Sequence, residues 1–393
     1  MPHSTKEPLA TVIMPVLNQE RFLQDAIDSL CTQDYTNLEI IIVDDGSTDS
    51  TPAIIDRFAQ QTRSGLAIRV IRHSSPKGVS AAKNAGLRIA KGTYIAIAAG
   101  DDVQKPNRIS LPVSILQANP LCDIVFLDCE MIDAEGFPLK RSKGYPKGMT
   151  GENAVLYQLR RNHLFSGLFL ARTEACPKFN ESLHSGVDYQ WAWQVLLAES
   201  IIQIRRESVM QYRIHENNLS ANAARSGESV RQIMQNLDLG KVEAMVRQKF
   251  PSDIIEVSLA WASLAAEKPE QALGFIEKVP KDSKAWGLEG LFASGVAWFK
   301  LKKYAKSEKY FSSLVQNEVM DAAAYNNLAV VLSIQGQKGD RIARLLSRAL
   351  RLRPEYRDAS GNLERISNGE SSNLRFTERP LRESSVHDKH YQL

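Results

Sequence analysis

Tyr94-Ile95-Ala96-Ile97-Ala98-Ala99-Gly100-Asp101-Asp102 runs from small and apolar residues straight into two adjacent carboxylates. Bounded by Gly92 and preceded by a helical pattern, it reads as an inner strand of a parallel sheet. The C-terminal end of such a strand opens on the crevice where open α/β sheets hold their ligands. Adjacent acids repel each other, and a hard cation between them and a ligand's phosphates makes the arrangement favourable. Magnesium or manganese is commonly held by one or two carboxylates with phosphate oxygens completing the shell. On its own the tripeptide also fits a solvated Gly-Asp-Asp turn that starts the helix near Pro106.

Upstream, Ala10 to Val16 reads as a first strand, and Asn18 begins a loop into a helix with Phe22, Leu23, Ala26, Ile27 and Leu30 on one face. Leu38 to Val43 is a second buried strand that ends in Asp44-Asp45-Gly46-Ser47-Thr48-Asp49-Ser50-Thr51-Pro52. There Asp49 or Ser50 can cap a helix that Pro52 helps to start. Ile68 to Arg72 is a third strand, followed by a small-residue helix over Val79 to Ala90 entered through Pro76-Lys77-Gly78. This alternation predicts right-handed crossovers, so the loops after the strands collect on one side and Asp44, Asp45, Asp101 and Asp102 can share a cleft. Four carboxylates together need a cation and polar ligand groups, or backbone amides in turns; a purely structural role for one of Asp44 and Asp45 stays open.

Downstream, a helix is predicted over Ile109 to Ala118 and a strand over Asp123 to Leu127. A Gly- and Pro-containing excursion from Ala134 to Gly148 is suited to a mobile lid. Leu168 to Ala171 resumes the strand pattern, and Gly186-Val187-Asp188 introduces an aromatic-rich helix. A carboxylate in a first helical turn is stabilised by the helix dipole and can take a proton from a substrate hydroxyl, although spacing alone favours a plain N-cap for Asp188. Val209 to His215 reads as a strand with a basic end, suited to ligand phosphates or to an ordinary ion pair.

With 393 residues, 43% of them hydrophobic, the chain has length for two or three domains and apolar content for ordinary cores. Its 49 basic and 45 acidic residues leave a formal charge of +4, too balanced to argue for a nucleic-acid polymer as partner. Cys31, Cys122, Cys129 and Cys176 show neither the close pairs of a zinc site nor the density of a disulfide scaffold, and read as reduced core residues. No early apolar run suits a signal peptide, and no stretch approaches the roughly 20 apolar residues of a membrane span. A cytoplasmic protein is expected, with a peripheral contact at the inner face of the membrane left open.

Residues 8 to 222 together resemble the family 2 inverting glycosyltransferases, whose catalytic domain has the nucleotide-binding fold called GT-A. Ile41-Ile42-Val43-Asp44-Asp45-Gly46-Ser47-Thr48-Asp49-Ser50-Thr51 is similar to the family's nucleotide-contacting segment almost residue for residue. Val12 to Asn18 resembles its opening strand, and Lys77 to Gly86 its glycine-and-asparagine helix entry. Asp188-Tyr189-Gln190-Trp191, Tyr212-Arg213-Ile214-His215 and Leu219-Ser220 resemble the acidic motif and closing strand.

The resemblance implies a nucleotide-diphosphate sugar donor, most often a uridine one, bound by Pro15, Asn18, Asp44, Asp45, Lys77, Asn84, Gly100, Asp101 and Arg213. It implies a manganese or magnesium ion at Asp101, Asp102 and His215, and Asp188 as general base for a saccharide, lipid-linked or protein acceptor. Four positions depart from the pattern. Ala99 stands where the metal motif usually has an acid, Val187 replaces the acid before the base, Gln194 stands where an arginine is common, and Pro76 replaces an asparagine.

The second half is helical in pattern. Val257, Leu291 and Tyr325 are 34 residues apart, as are Ala260, Ser294 and Leu328, which is the spacing of tetratricopeptide units. Tyr325-Asn326-Asn327-Leu328-Ala329, Leu332, Gly336, Ala349-Leu350 and Pro354 resemble that repeat most clearly.

The expected organisation is therefore a polar tail over 1–8, an α/β GT-A domain over 9–222 with a mostly parallel sheet, and a connecting stretch over 223–251. All-α repeats over 252–366 and a disordered tail over 367–393 complete it. Trp261, Trp286, Trp298 and Tyr310 read as core between stacked helices. The repeats would recruit an acceptor, bind a protein or pair two chains. The rival reading is a catalytically silent GT-A-like scaffold that has lost its metal, which Ala99 favours, with the repeats mediating protein–protein interaction.

Overall fold

Three apolar runs, β1 (Ala10–Val16), β2 (Leu38–Asp44) and β3 (Leu66–Arg72), pair in parallel, with Val16 opposite Asp44 and Asp44 opposite Arg72. Every residue of β2 is buried, as a central parallel strand covered on both faces requires. Helices α1 (Leu23–Cys31), α2 (Thr51–Ala59) and α3 (Val79–Ile89) alternate with them, and β4 (Tyr94–Ile97) pairs in parallel with β1 on its other side. The ends of β1, β2 and β4 thus lie side by side, with Ile13 opposite both Ile41 and Ile97.

Beyond β4 the sheet becomes mixed. β5 (Val103–Gln104), α4 (Ser110–Ala118), β6 (Ile124–Ile132), β7 (Pro138–Ser142), α5 (Ala154–Gln158), β8 (Phe169–Arg172), α6 (Val187–Leu197) and β9 (Ile202–Arg213) follow in chain order. The strand order is β3-β2-β1-β4-β8-β6-β9-β5, with β7 added to β6. β8 runs antiparallel to both β4 and β6, while β9 is parallel to β6.

The excursion expected to be a lid is pinned instead. β7 pairs with β6, Gly144 donates its amide to Asp128 Oδ1 at 2.7 Å, and Tyr145 Oη donates to Leu127 O at 2.7 Å. The Arg206 guanidinium donates to the carbonyls of Tyr145 and Pro146. Burial drives the Tyr145 phenol well above its usual range, so it stays a neutral donor.

The structure is a computed structural model that describes residues 7–60, 65–142, 144–216, 218, 223–317, 321–337, 340–370 and 373–381. Leu219 and Ser220 of the closing motif lie outside them. The chain divides into two compact units, residues 1–233 and 234–393. The stretch expected to connect domains is helical, formed by α7 (Ala223–Asn236) and α8 (Leu239–Arg247), and the division falls within α7.

In the second unit α9 (Ser252–Ala265) packs on α10 (Pro269–Glu277), α11 (Leu291–Lys300) on α12 (Tyr304–Gln316), and α13 (Ala322–Ile334) on α14 (Asp340–Leu352), before a final α15 (Arg357–Ser367). Small residues set the close approach of the helices: a Cβ on Gly295 would lie 2.7 Å from the Phe311 ring. Of the four aromatics expected in this core, only Trp261 is buried; Trp286, Trp298 and Tyr310 are half-buried. Lys281 and Lys306 cover the Trp286 and Trp298 rings, at 3.1 and 4.0 Å from the centroids. Disorder expected after Ile366 does not hold for residues 373–381, because Phe376 stacks on Phe299 with centroids 3.7 Å apart. Residues 382–393 lie outside the described ones.

Within the first unit, the position of α6 depends on one indole. Trp191 is fully buried, stacks on Phe169 at 4.5 Å and on Phe179 at 5.6 Å, and donates Nε1–H to Pro177 O at 3.0 Å. Trp191→Ala should therefore destabilise the first unit by about 3–5 kcal/mol, which urea unfolding followed by circular dichroism will read.

Candidate active site

The loops at the strand ends are laced together by short polar side chains. Asn18, at φ +51°, donates its amide to Ser47 Oγ at 2.9 Å and accepts the Thr48 amide on Oδ1 at 2.8 Å. Gln19 and Glu20 donate their amides to Thr51 Oγ1 and Asp49 Oδ2. Asp49 also accepts the Thr51 amide at 2.9 Å; hydrogen bonds from Thr51 and Glu20 outweigh the burial that would raise its pKa, and hold it below the ordinary value. Gly46 sits at φ +83° where a Cβ would lie 2.8 Å from the backbone of Ser75, so only glycine lets the two loops meet.

The two acids after β2 differ in role. Asp45 is 3% exposed and organises the loops: it accepts the amides of Lys77 at 2.9 Å and Gly78 at 2.8 Å, and contacts His73 Nδ1 at 2.6 Å. Asp44 accepts the Ser47 amide on Oδ1 at 2.9 Å and keeps its other oxygen uncommitted among the described residues. Pro15 lies in β1 opposite Val43, and the Lys77 side chain is exposed. Asn84 does not face a ligand as expected; it is 4% exposed and spends its amide on both main-chain atoms of Phe179 and on Glu181 Oε1.

The acids after β4 divide in the same way. Gly100 is buried, and a Cβ there would lie 2.8 Å from Val16 Cγ1, so glycine brings the Asp101 loop against β1. The Asp101 carboxylate is 16% exposed, with Oδ2 at 3.0 Å from His215 Nε2 and 3.4 Å from Asn218 Nδ2. Asp102, by contrast, is 3% exposed and its Oδ1 accepts the Arg213 amide at 3.0 Å. Among the described residues no three metal-binding side chains gather in one place. Of the expected trio, Asp101 and His215 lie together, while Asp102 is turned to the Arg213 amide. Two such donors fit a cation that takes its remaining ligands from substrate phosphates.

Arg213 also departs from expectation. Its side chain is 4% exposed; the guanidinium donates to Asp101 O at 3.0 Å and Ala134 O at 3.1 Å, contacts Asp25 Oδ2 at 3.4 Å, and lies 5.0 Å over the Phe22 ring. It clamps β9 to the Asp101 loop rather than facing a phosphate. The same Phe22 ring packs on His215 at 4.7 Å.

Asp188 is not the N-cap of α6. Gly186 holds that position at φ +69° without a side-chain cap, and Asp188 falls in the first turn. Its Oδ1 accepts the Ser166 hydroxyl at 2.6 Å and the Lys83 ammonium at 3.2 Å, with the side chain 32% exposed. Lys83 is 8% exposed at its side chain and lies 4.5 Å over the Phe179 ring. Sequence reasoning missed His73, Lys83, Ser166 and Asn218 as site residues. Only Lys83 carried a signal, as a cation among the small residues in the middle of a helix.

The family model described as Glycosyl transferase family 2 matches residues 11–179, a span that stops short of Asp188. A glycosyltransferase of Rickettsia prowazekii (strain Madrid E) is 30% identical over 222 residues, covering 55% of this chain and 67% of the relative. Glycosyltransferase GlyG of Streptococcus pneumoniae serotype 4 is 40% identical over 101 residues, which is 26% of this chain and 33% of the relative. The chain thus spans a third to two thirds of these relatives' lengths. Residues 1–349 of S. aureus TarS, solved in complex with UDP-GlcNAc, align over 95% of this chain and 98% of that one with a TM-score of 0.51 and 16% identity, a likeness of fold.

Replacing Asp102 tests its reassignment to structure. Asp102→Ala strands the buried Arg213 amide and should cost about 1–3 kcal/mol in denaturant unfolding, whereas Asp102→Asn keeps an acceptor for that amide and should cost less.

Proposed function

The chain belongs to glycosyl transferase family 2, and from that premise we propose that it moves a sugar from a nucleotide-diphosphate donor to an acceptor hydroxyl with inversion at the anomeric carbon. The observation that carries this reading is Asp188: a partly exposed carboxylate in a first helical turn, relieved of capping and oriented by Ser166 and Lys83. A positioned, partly exposed carboxylate is what proton removal from a hydroxyl requires.

In this reading Asp44 receives the nucleotide, because Asp45 is consumed by the loop amides while Asp44 retains an acceptor oxygen. Asn18 and Lys77 flank it. Asp101 and His215 would hold a divalent cation. Bound there, such an ion supplies charge neutralisation to the departing diphosphate. The acceptor oxygen forms its bond to the anomeric carbon as the bond to the diphosphate oxygen breaks, the electron pair leaving with the diphosphate. The hydroxyl proton passes to Asp188, and attack opposite the leaving group inverts the centre. The acceptor is a saccharide, a lipid-linked saccharide or a protein. A uridine donor is the first to test, since the solved structure of like fold carries UDP-GlcNAc. No helix among the described residues is long and apolar enough to cross a membrane.

Titration calorimetry with uridine, guanosine, thymidine and cytidine diphosphates, with and without manganese, tests the donor site. One nucleotide should bind in a metal-dependent way, and Asp101→Ala should abolish that dependence. Absence of binding by all four overturns the transferase in favour of a silent scaffold.

Once a donor is known, Asp188→Asn should lower kcat by about 10²–10⁴ while leaving nucleotide affinity unchanged. Lys83→Met should lower kcat by a smaller factor, again without loss of donor affinity, because Lys83 acts only through Asp188.

A further inference from the structure

Asn326 and Asn327 on α13 and Asn362 on α15 are all fully buried. A buried amide costs free energy unless its donors and acceptor are satisfied. These three are satisfied largely by the main chain of an extended segment that follows α15. Asn326 Nδ2 and Asn362 Nδ2 donate to Arg375 O at 3.0 and 2.8 Å, and the Arg375 amide donates back to Asn362 Oδ1 at 2.7 Å. Two residues further on, Asn327 Nδ2 donates to Thr377 O at 2.7 Å and accepts the Thr377 amide on Oδ1 at 2.9 Å. The side-chain amides therefore take the place of a neighbouring β-strand, pairing with alternate residues.

Between the paired residues, Phe376 projects to the other side, face-on to Phe299 at 3.7 Å and edge-on to Phe311 at 5.7 Å. The flanking side chains are read more lightly. Thr377 Oγ1 donates to Asp358 Oδ2 at 3.0 Å and contacts Tyr356 Oη, and Glu378 pairs with Lys300 at 2.7 Å with its own side chain 60% exposed. Arg375 lies 3.8 Å from Asp358 and is 63% exposed. Surface pairs of this kind contribute about 0–1 kcal/mol.

Most of the affinity therefore resides in main-chain contacts that any extended peptide can make, with one aromatic side chain as anchor. Without this segment the three buried asparagines keep only the bonds among themselves, Asn362 to Asn326 at 2.9 Å and Asn326 to Asn327 at 3.3 Å, and lose every main-chain partner at Arg375 and Thr377, so the groove favours another peptide main chain in its place.

We propose that this groove of the second unit is a binding site for an extended segment of another protein. Its ligand carries an aromatic residue followed by a hydroxyl residue and an acid, and residues 374–378 occupy the site as an intramolecular competitor. The proposal rests on the second unit alone and stands whether or not the first unit transfers sugars. Because the competitor is tethered, it holds the site at an effective concentration on the order of millimolar, and an outside peptide meets a reduced apparent affinity until the tether is weakened.

The test uses the full chain and a fluorescent peptide of sequence Leu-Arg-Phe-Thr-Glu-Arg-Pro, copied from residues 374–380, with binding read by anisotropy. Phe376→Ala, which loosens the tethered segment, should bind the peptide at least about tenfold more tightly than wild type does. Adding Asn327→Ala to that variant should abolish binding, as should replacing the peptide's phenylalanine by alanine. A chain ending at Ser372, with its helix content checked by circular dichroism, serves as the second opened form. Equal affinity for wild type and a folded opened form overturns the proposal, as does no binding to either. Loss of helix in both opened forms overturns it too, since the segment would then be a fixed part of the fold.

Discussion

Asp45 collects the Lys77 and Gly78 amides and the His73 ring on one carboxylate, while its own amide donates to Val16 O at 2.9 Å. The loops that follow β1, β2 and β3 are thereby tied at a single point, and α3 begins from the last of them. Hydrogen bonds to an ionised acceptor are worth roughly 1.5–3 kcal/mol each, more than their neutral counterparts. Helix α3 in turn carries Lys83 to Asp188. The candidate base, on an element far along the chain, is therefore oriented through a line of contacts that starts at this buried acid.

Occupancy of their oxygens sorts the acids of the crevice into two kinds. Asp45 and Asp102 are both 3% exposed and hold backbone amides, the first at the loop entry to α3 and the second at the end of β9. Asp101 and Asp188 are 16% and 32% exposed and are met by side chains that can release or share them. Asp44 is also 3% exposed and holds the Ser47 amide, so in burial it stands with Asp45 and Asp102, and only the Asp101–Asp102 pair divides into a buried and a more exposed acid. The proximity of like charges is offset because the buried acids are neutralised by amide dipoles.

In the second unit the same economy of buried polar groups acts on amides instead of acids. Small side chains bring α11 and α12 together, and the buried asparagines of α13 and α15 bond both to one another and to the main chain of an extended segment. The main chain of a neighbouring helix, already internally bonded, cannot satisfy the amide groups that remain. An extended main chain can, and residues 374–378 supply it.

The apolar runs Ala10–Val16, Leu38–Val43 and Tyr94–Ile97, the helices between them and the position of the acids at strand ends were determined by the sequence itself. Strand and helix periodicity are local properties, and right-handed crossovers bring the ends together. The same holds for the 34-residue spacing of the helical half and for Asp188 in a first turn. What each acid does was decided only by tertiary structure. Asp102 meets Arg213 across 111 residues and Lys83 meets Asp188 across 105. Likewise, composition marked the segment after Ile366 as polar and unstructured, while its partners Asn327 and Asn362 lie on helices that precede it. A polar side chain is assigned by the hydrogen-bond partner it finds when buried, and that partner is a matter of folded geometry rather than of neighbouring sequence.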